Sequence, residues 1–250
     1  MTMKLTAMIS ALALTMSVGA TSFAAPSSKF TAVVDKTLVS TEATRSETLD
    51  SNPPPAVHAV VATLKVPSQK ELLIQISAQI AIDTNTSVKG KNGGGGSATA
   101  AGSAVVAVEV CNVASGACTD ALPGPITFAA REQELSATLG GVIESCTDGD
   151  LDGTIDIADD CEVSPEEISL LLKTTAAHHY NFIAPNLAAG TYTVNATFAA
   201  EASAATDDVA GSDGEIDYNF AAASIVVGPT VTVVEEVRAT NNPDGVVVID

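Results

Sequence analysis

ELLIQISAQIAI, residues Glu71–Ile82, decides the fold class. Ile74, Ile76, Ala78, Ile80 and Ile82 recur at every second position, with Gln75, Ser77 and Gln79 between them. A period of two places the first set on one face of an extended chain and the second on the other, which is a strand buried on one side and wet on the other. The same alternation returns in His58–Val66, where Val60, Ala62, Leu64 and Val66 share a face. It returns again in Thr191–Ala199, where Tyr192, Val194, Ala196 and Phe198 alternate with Thr191, Thr193, Asn195 and Thr197.

Further strands are expected at Val105–Cys111, around Ile126–Ala129 and Leu135–Leu139, and at Ile168–Leu172, His179–Ile183, Ala221–Val227 and Val231–Val237. No window carries a helical period longer than two turns. Ser164-Pro165-Glu166-Glu167 has the form of a helix start, but the strand reading of the residues after it is preferred. About eleven short strands between residues 56 and 238 imply an all-β, antiparallel β-sandwich. Trp is absent and aromatic residues make up 4 % of the chain, so the core must be built from small and β-branched side chains. Asn112–Ala117, Leu122-Pro123-Gly124-Pro125 and Gly228-Pro229 are the expected turns. Lys89–Gly102, centred on Gly93–Gly96, is expected to be a flexible loop; no Lys-Ser/Thr follows the glycines, which removes a phosphate-binding loop.

Leu187-Ala188-Ala189-Gly190-Thr191-Tyr192-Thr193-Val194 resembles the loop-to-strand corner of immunoglobulin-like and fibronectin-like sandwiches. The resemblance implies that the Tyr192 hydroxyl bonds back to upstream backbone. It supports a sandwich and leaves immunoglobulin-like and jelly-roll-like strand orders both open.

At the amino end, Lys4 precedes an apolar run from Ala7 to Val18, and Ser22-Phe23-Ala24 has the form of a signal-peptidase site. The run is too short to span a bilayer, so residues 1–24 are expected to be a secretory leader, and no later stretch is long enough for a transmembrane helix. Residues 25–55, rich in Ser and Thr and ending in Asn52-Pro53-Pro54-Pro55, are expected to be a flexible spacer. The sandwich is expected over 56–240, followed by a tail, 241–250, whose apolar stretch Val246–Ile249 could pair with a sheet edge. The expected location is outside the cell or at its surface, with the periplasm as the alternative.

Eleven Lys and Arg stand against 30 Asp and Glu, a formal net charge of −19 at pH 7. Such a surface repels nucleic acid and anionic membranes and attracts cations. The charge is concentrated in CTDGDLDGTIDIADDC, residues Cys146–Cys161. Asp148, Asp150, Asp152, Asp156 and Asp159 occupy loop positions 1, 3, 5, 9 and 12, Gly153 position 6, and Thr154 the carbonyl-donating position 7. Carboxylates at that spacing wrap one hard cation, and Ca²⁺ is the expected ion. Asp rather than Glu at position 12, and flanks without an amphipathic helix pair, argue against a helix–loop–helix hand. Ten acids fall between Glu144 and Glu167 with no Lys or Arg from Arg131 to Lys173, so without a cation the segment repels itself.

The run from Asp148 to Cys161 resembles the calcium repeat of thrombospondin type 3 modules. That resemblance implies that Asp148, Asp150, Asp152, Asp156 and Asp159 are ligands and that a cysteine staples the loop. It covers 16 residues of 250 and a single copy, so it transfers a site and not a biological role. A second acidic stretch, Asp207–Asp217, lacks that register and is expected to be an exposed hairpin loop, with a weak second calcium site as the alternative.

Four cysteines in an exported chain favour disulfides. Of the three pairings, Cys111–Cys118 with Cys146–Cys161 is preferred because each closes a short loop. His178 and His179 are adjacent and would point to opposite faces of a strand, so they cannot chelate one ion together. No G-x-S-x-G, no H-E-x-x-H and no lone Cys is present. The overall pattern is similar in style to exported bacterial β-sandwich proteins. The expected function is a secreted, non-enzymatic calcium-binding sandwich engaged in adhesion or assembly, its partners calcium and either a second copy, another surface protein or a glycan. A calcium-dependent carbohydrate-binding module is the first alternative and a hydrolase the second.

Overall fold

The alternation of Glu71–Ile82 extends well past the stretch that announces it. In the computed structural model, which describes residues 30–67, 70–149, 153–156 and 160–237, it becomes one strand of 21 residues. The described strands are β1 (Phe30–Asp35), β2 (Val39–Arg45), β3 (Asp50–Ser51), β4 (Ala56–Val66), β5 (Lys70–Gly90), β6 (Gly94–Asn112), β7 (Cys118–Asp120), β8 (Ile126–Leu139), β9 (Val142–Cys146), β10 (Cys161–Ser164), β11 (Glu166–Leu187), β12 (Gly190–Val209) and β13 (Phe220–Val237). The leader expected at 1–24 and the tail 241–250 lie outside the described residues.

All pairings are antiparallel and build two large sheets. One has the order β11-β5-β13-β2-β3, with β1 also on β13; the other has the order β4-β12-β6-β7, with β8 also on β6. They stack face to face, with β5 and β13 of the first over β6, β8 and β12 of the second. The chain is therefore an all-β antiparallel sandwich. Both central strands have a divided edge: β13 carries β1 along Thr230–Glu235 and β2 along Ala221–Val227, and β6 carries β8 and then β7.

The strands are longer than their sequence suggests, and the apparent breaks within β8 and β11 stay in register. Ile126–Ala129 and Leu135–Leu139 are one strand, β8, and Ile168–Leu172 and His179–Ile183 are one strand, β11. Ala221–Val227 and Val231–Val237 are likewise joined. Gly228-Pro229 is a register shift within β13, not a turn, because Pro lacks the N–H a ladder needs and the strand simply steps past it. Residues 30–51 are also ordered, contrary to the flexible spacer expected over 25–55. Val39, Thr41 and Ala43 are buried on alternate positions of β2, so the Ser/Thr content there is that of a strand and not of a linker.

Inside, the sheets come close because the facing residues are small. Ala98, Ala100 and Ala104 of β6, Ala196, Ala200 and Ala204 of β12, and Ala221 and Ala223 of β13 are buried. A side chain built on Gly102 would start 3.1 Å from Ile82 Cγ2 in the opposite sheet. Phe182 and Phe198 are the largest fully buried side chains, and Phe198 meets Phe128 edge-on at 6.2 Å between ring centres. A buried polar bridge also joins the layers: Gln133 of β8 accepts the Thr84 hydroxyl at 2.8 Å and donates to Thr86 Oγ1 and to the Leu170 carbonyl, both at 2.7 Å. Tyr192 is buried and its hydroxyl donates to the Ala188 carbonyl at 3.0 Å, the bond its corner motif implies.

The glycine run is the tightest place in the molecule. β5 ends at Gly90 and β6 begins at Gly94, with Asn92 at φ 51° and Gly93 at φ 82° between them. Gly94 N–H closes on the Lys91 carbonyl at 2.8 Å, so Asn92-Gly93 make a two-residue turn with both φ positive, the chemistry Asn-Gly favours. Here the turn passes the chain from one sheet to the other. The expected loop Lys89–Gly102 is thus mostly strand, and the glycines serve close approach: a Cβ on Gly96, at φ 121°, would sit 1.9 Å from the Asp207 carbonyl oxygen. Asn219, buried, locks the corner by accepting the Lys89 N–H at 3.0 Å and donating to the carbonyls of Gly95 and Asp207 at 3.0 Å each.

At the opposite side, Asp35 of β1 accepts a hydrogen bond from His58 Nε2 of β4 at 2.7 Å, clamping an edge of one sheet to an edge of the other. Burial alone pushes the Asp35 carboxyl up, but the His58 and Thr37 hydrogen bonds outweigh it and hold the value down to about 2. A carboxyl depressed in the folded chain contributes stability that is complete above about pH 4 and is lost as pH falls toward the folded value. Asp35→Asn is expected to melt below the parent at pH 5–7, with the gap closing between pH 4 and pH 2; melting curves across that range check it. Gly96→Ala is expected to lower stability by about 3 kcal/mol or more through clash and strain. Gly116→Ala, at φ 69° but facing open space, should lose only about 1 kcal/mol, as urea titrations would measure.

Candidate calcium loop

β9 and β10 form a hairpin of their own, outside both large sheets. It carries the chain from the end of β8 to the start of β11, and so from one layer to the other. Gly141 at its base sits at φ 85° and donates its N–H to Glu166 Oε2 at 3.1 Å. Cys146 and Cys161 face each other in register across the strands and are joined as a disulfide, with Cα atoms 4.0 Å apart. Cys111–Cys118 staples β6 to β7 in the same way, also at 4.0 Å. Both bonds follow the local pairing, and two disulfides are consistent with an oxidising compartment.

The hairpin presents the acidic loop at its tip. Of the residues expected to hold the ion, Asp148, Thr154 and Asp156 are described; Asp150, Asp152 and Asp159 lie outside the described residues. Asp148 Oδ2 accepts the Gly153 N–H at 2.9 Å, so position 1 of the loop folds onto position 6. Gly153 has φ 83°, which a side chain there would strain. The other oxygen, Asp148 Oδ1, is buried and has no hydrogen-bond partner among the described residues. One oxygen spent on shaping the turn and one buried with nothing to bond is an arrangement that fits a hard cation, since an unpaired buried carboxylate oxygen is otherwise unfavourable.

Asp160 is a loop-shaping residue that the spacing argument missed. Its Oδ1 accepts the Gly149 N–H and its Oδ2 the Asp156 N–H, both at 2.9 Å, while its own N–H donates to the Asp156 carbonyl at 2.8 Å. Its carbonyl accepts the Thr147 N–H at 2.8 Å. Asp160 thus ties the two limbs of the loop just above the disulfide. The Asp156 and Gly149 amides hold its carboxyl below the ordinary value. The available signal was Asp160 following Asp156 by four residues, within reach of a side chain bonding back to the backbone of the preceding turn.

The remaining candidates resolve into structure. In the second acidic stretch, Asp208 caps the Asn219 N–H at 2.8 Å, Asp213 accepts from Asn92 Nδ2 at 2.8 Å, and Lys91 pairs with Glu215 at 2.7 Å and with Asp213 at 3.7 Å. These acids fasten the loop after β12 to the glycine turn. Glu109, Cys111 and Cys118 place ligand atoms within 4.8 Å of one another, but the two sulfurs are joined to each other and offer no thiolate. His178 faces Phe128 at 6.4 Å between ring centres on the inner side, whereas His179 lies outside and pairs with Ser77 Oγ at 2.9 Å.

No family model matches the chain, and no curated protein matches it. Among solved structures it is similar to a chain in the structure of infectious bursal disease virus, Gx strain, at 10 % identity and a TM-score of 0.28. That similarity covers 85 % of this chain and 37 % of the other, so the chain spans well under half of its neighbour's length. A TM-score this low carries no argument; the fold rests on the strand pairing itself.

Asp160→Ala removes the acceptors of two loop amides. The Gly149 and Asp156 N–H groups are expected to exchange with solvent about tenfold faster or more, since each loses its charge-assisted hydrogen bond. Hydrogen exchange followed by NMR, with the β5 amides as an unchanged reference, measures it.

Proposed function

We propose that this chain is a secreted calcium-binding β-sandwich protein with a structural, adhesive or assembly role at the cell surface or in the extracellular matrix, and without a catalytic step. The observation that carries the reading is Asp148, whose Oδ2 is bound to the Gly153 N–H while its Oδ1 is buried without a partner among the described residues. Calcium would be held by Asp148, Asp150, Asp152, Asp156 and Asp159 with the Thr154 carbonyl. It would supply the positive charge that a segment with ten acids and no base lacks.

The place of the loop supports a structural role for the ion. The hairpin is stapled by Cys146–Cys161 at its neck and by Asp160 above it, and it links β8 of one layer to β11 of the other. Ordering its tip therefore stiffens a connection between the two sheets. An acidic surface of net charge −19 with a cation-dependent element suits a medium rich in calcium.

Thermal unfolding in EDTA and in rising calcium, with magnesium as control, tests the reading. Single-loop extracellular sites bind at about 10⁻⁴ to 10⁻³ M, so 10 mM calcium should add about 1.4–2.7 kcal/mol. For a domain of this size that is a rise in Tm of roughly 3–10 °C. Asp148→Ala with Asp152→Ala should abolish the calcium response while leaving the EDTA curve in place. A calcium response that survives the double substitution, or one that magnesium reproduces, would overturn the assignment.

A further inference from the structure

The two layers part along one side, between β8 and β11, and hydrogen bonds close the gap at intervals. Gln133 of β8 donates to the Leu170 carbonyl at 2.7 Å. Arg131 donates from Nη1 to the Ile82 carbonyl at 3.2 Å and from Nη2 to the Thr174 hydroxyl. Leu122, just before β8, exchanges both backbone hydrogen bonds with Ile183, at 2.8 and 3.0 Å. Between the arginine strap and the Leu122–Ile183 bridge lies a cleft of about 340 Å³. From Thr174 at one end to His178 at the other it runs about 13 Å along β11, at ~3.3 Å per residue.

Its floor and walls are apolar. Ile80 and Ile82 of β5 are buried beneath it, and Ala176 of β11 is half-buried beside it. Phe128 enters from β8 at a bulge: Ala104 pairs with Ala129 and Val105 with Thr127, which leaves Phe128 as the extra residue. Bulges re-aim side chains in this way and recur next to functional sites. No Asp or Glu lines the cleft, in a chain with 30 of them, and its one permanently charged group is Arg131. The Ile82 carbonyl and the Thr174 hydroxyl are neutral acceptors, so they orient the guanidinium without neutralising it, and the fork has more N–H groups than these two bonds use. Among the described residues Arg131 makes no ion pair, not even with Glu132 or Glu201, which line a neighbouring surface cleft with it.

We propose that this cleft binds a small organic monocarboxylate, its apolar body between Ile80, Ile82, Phe128 and Ala176 and its carboxylate on Arg131. Small-molecule pockets combine an apolar lining of this kind with a few placed polar groups. One guanidinium matches a monoanion, whereas a phosphate monoester brings nearly two charges and the lining offers no second fixed cation. Volume sets the size of the body. An apolar cavity of about 150 Å³ accepts benzene, so the cleft takes a body of roughly eight to ten carbons. The net charge of −19 opposes any anion at long range, but at 0.15 M salt the field of distant carboxylates is screened beyond ~8 Å. The site lies in the sandwich body, so it goes beyond the calcium and assembly reading and stands whether or not the acidic loop holds an ion.

Calorimetric titration of the full chain with octanoate and with 1-octanol, in 0.15 M salt, tests the site. The parent is expected to bind one octanoate saturably and about tenfold or more tighter than the alcohol, because only the acid forms a charge-assisted pair with the guanidinium. In NMR spectra the amide shifts on adding octanoate should centre on Ala129–Arg131 and Thr174–His178. Arg131→Gln should weaken octanoate about tenfold or more and leave octanol unchanged. Ala176→Phe, which fills the cleft and leaves the Arg131 hydrogen-bond partners in place, should abolish binding of both; melting curves check that each variant folds. No saturable octanoate binding, an alcohol held as tightly as the acid, or shifts centred elsewhere would each overturn the proposal. So would a folded Arg131→Gln or Ala176→Phe chain that binds octanoate undiminished. If the Arg131 variant fails to fold, the acid-to-alcohol ratio of the parent and the shift map decide the question.

Discussion

Everything in this molecule hangs on how closely backbones can approach at one corner. Gly90, Gly94, Gly95 and Gly96 let β5 turn into β6 within two residues and cross from one sheet to the other. The space a side chain would need there is already filled by the carbonyls of Ala137 and Asp207 and by the backbone of Gly94 itself. Asn219 then satisfies the Lys89 amide and two carbonyls, those of Gly95 and Asp207, which the crossing would leave unpaired. The separation of the sheets is set from this corner outward, and the alanines of β6, β12 and β13 are the side chains that fit it.

That corner also explains what could be read from residues alone. The sandwich class was legible because Ile74–Ile82, Val60–Val66 and Tyr192–Phe198 each carry an unambiguous period of two, and the Tyr192 corner was legible because its motif is local. The glycine run was misjudged because composition suggests freedom where packing demands absence of a side chain; Asn92-Gly93 held the turn signal, but the neighbours of Gly95 and Gly96, Asn219 and Asp207, lie over a hundred residues away. Strands β1 and β2 were missed for a similar reason. Ser and Thr look like linker until β13 is known to offer two half-edges, divided at Gly228-Pro229. In the loop, carboxylate spacing picked out Asp148, whereas the part played by Asp160 depends on hydrogen bonds that no spacing rule encodes.

The acidic hairpin is a satellite with a different physics from the body that bears it. The sandwich is held by apolar burial and ladder hydrogen bonds, which are indifferent to solutes at millimolar concentration. Among the described residues of the hairpin, Val142, Ile143 and Ile155 are exposed and Val163 is half-buried. The hairpin relies on a covalent neck, a few amide–carboxylate bonds and the balance of charge at its tip. The two parts therefore answer to different variables, and the join between them falls at Gly141 and Glu166, where β11 begins.

The placement of the final strand has a consequence for how the chain must be made. β13 lies in the middle of its sheet, between β5 on one side and β1 and β2 on the other, so Phe30 is opposite Glu235 across about two hundred residues of intervening sequence. Until β13 has emerged, β5 has β11 alone beside it, β1 has no partner strand, and β2 has only the two-residue β3 among the described strands. Topologies dominated by such distant partners fold slowly, because loop closure precedes any gain from contact. A nascent chain of this design leaves its first sheet open until β13 has been made, so closure of that sheet follows the synthesis of every strand it contains.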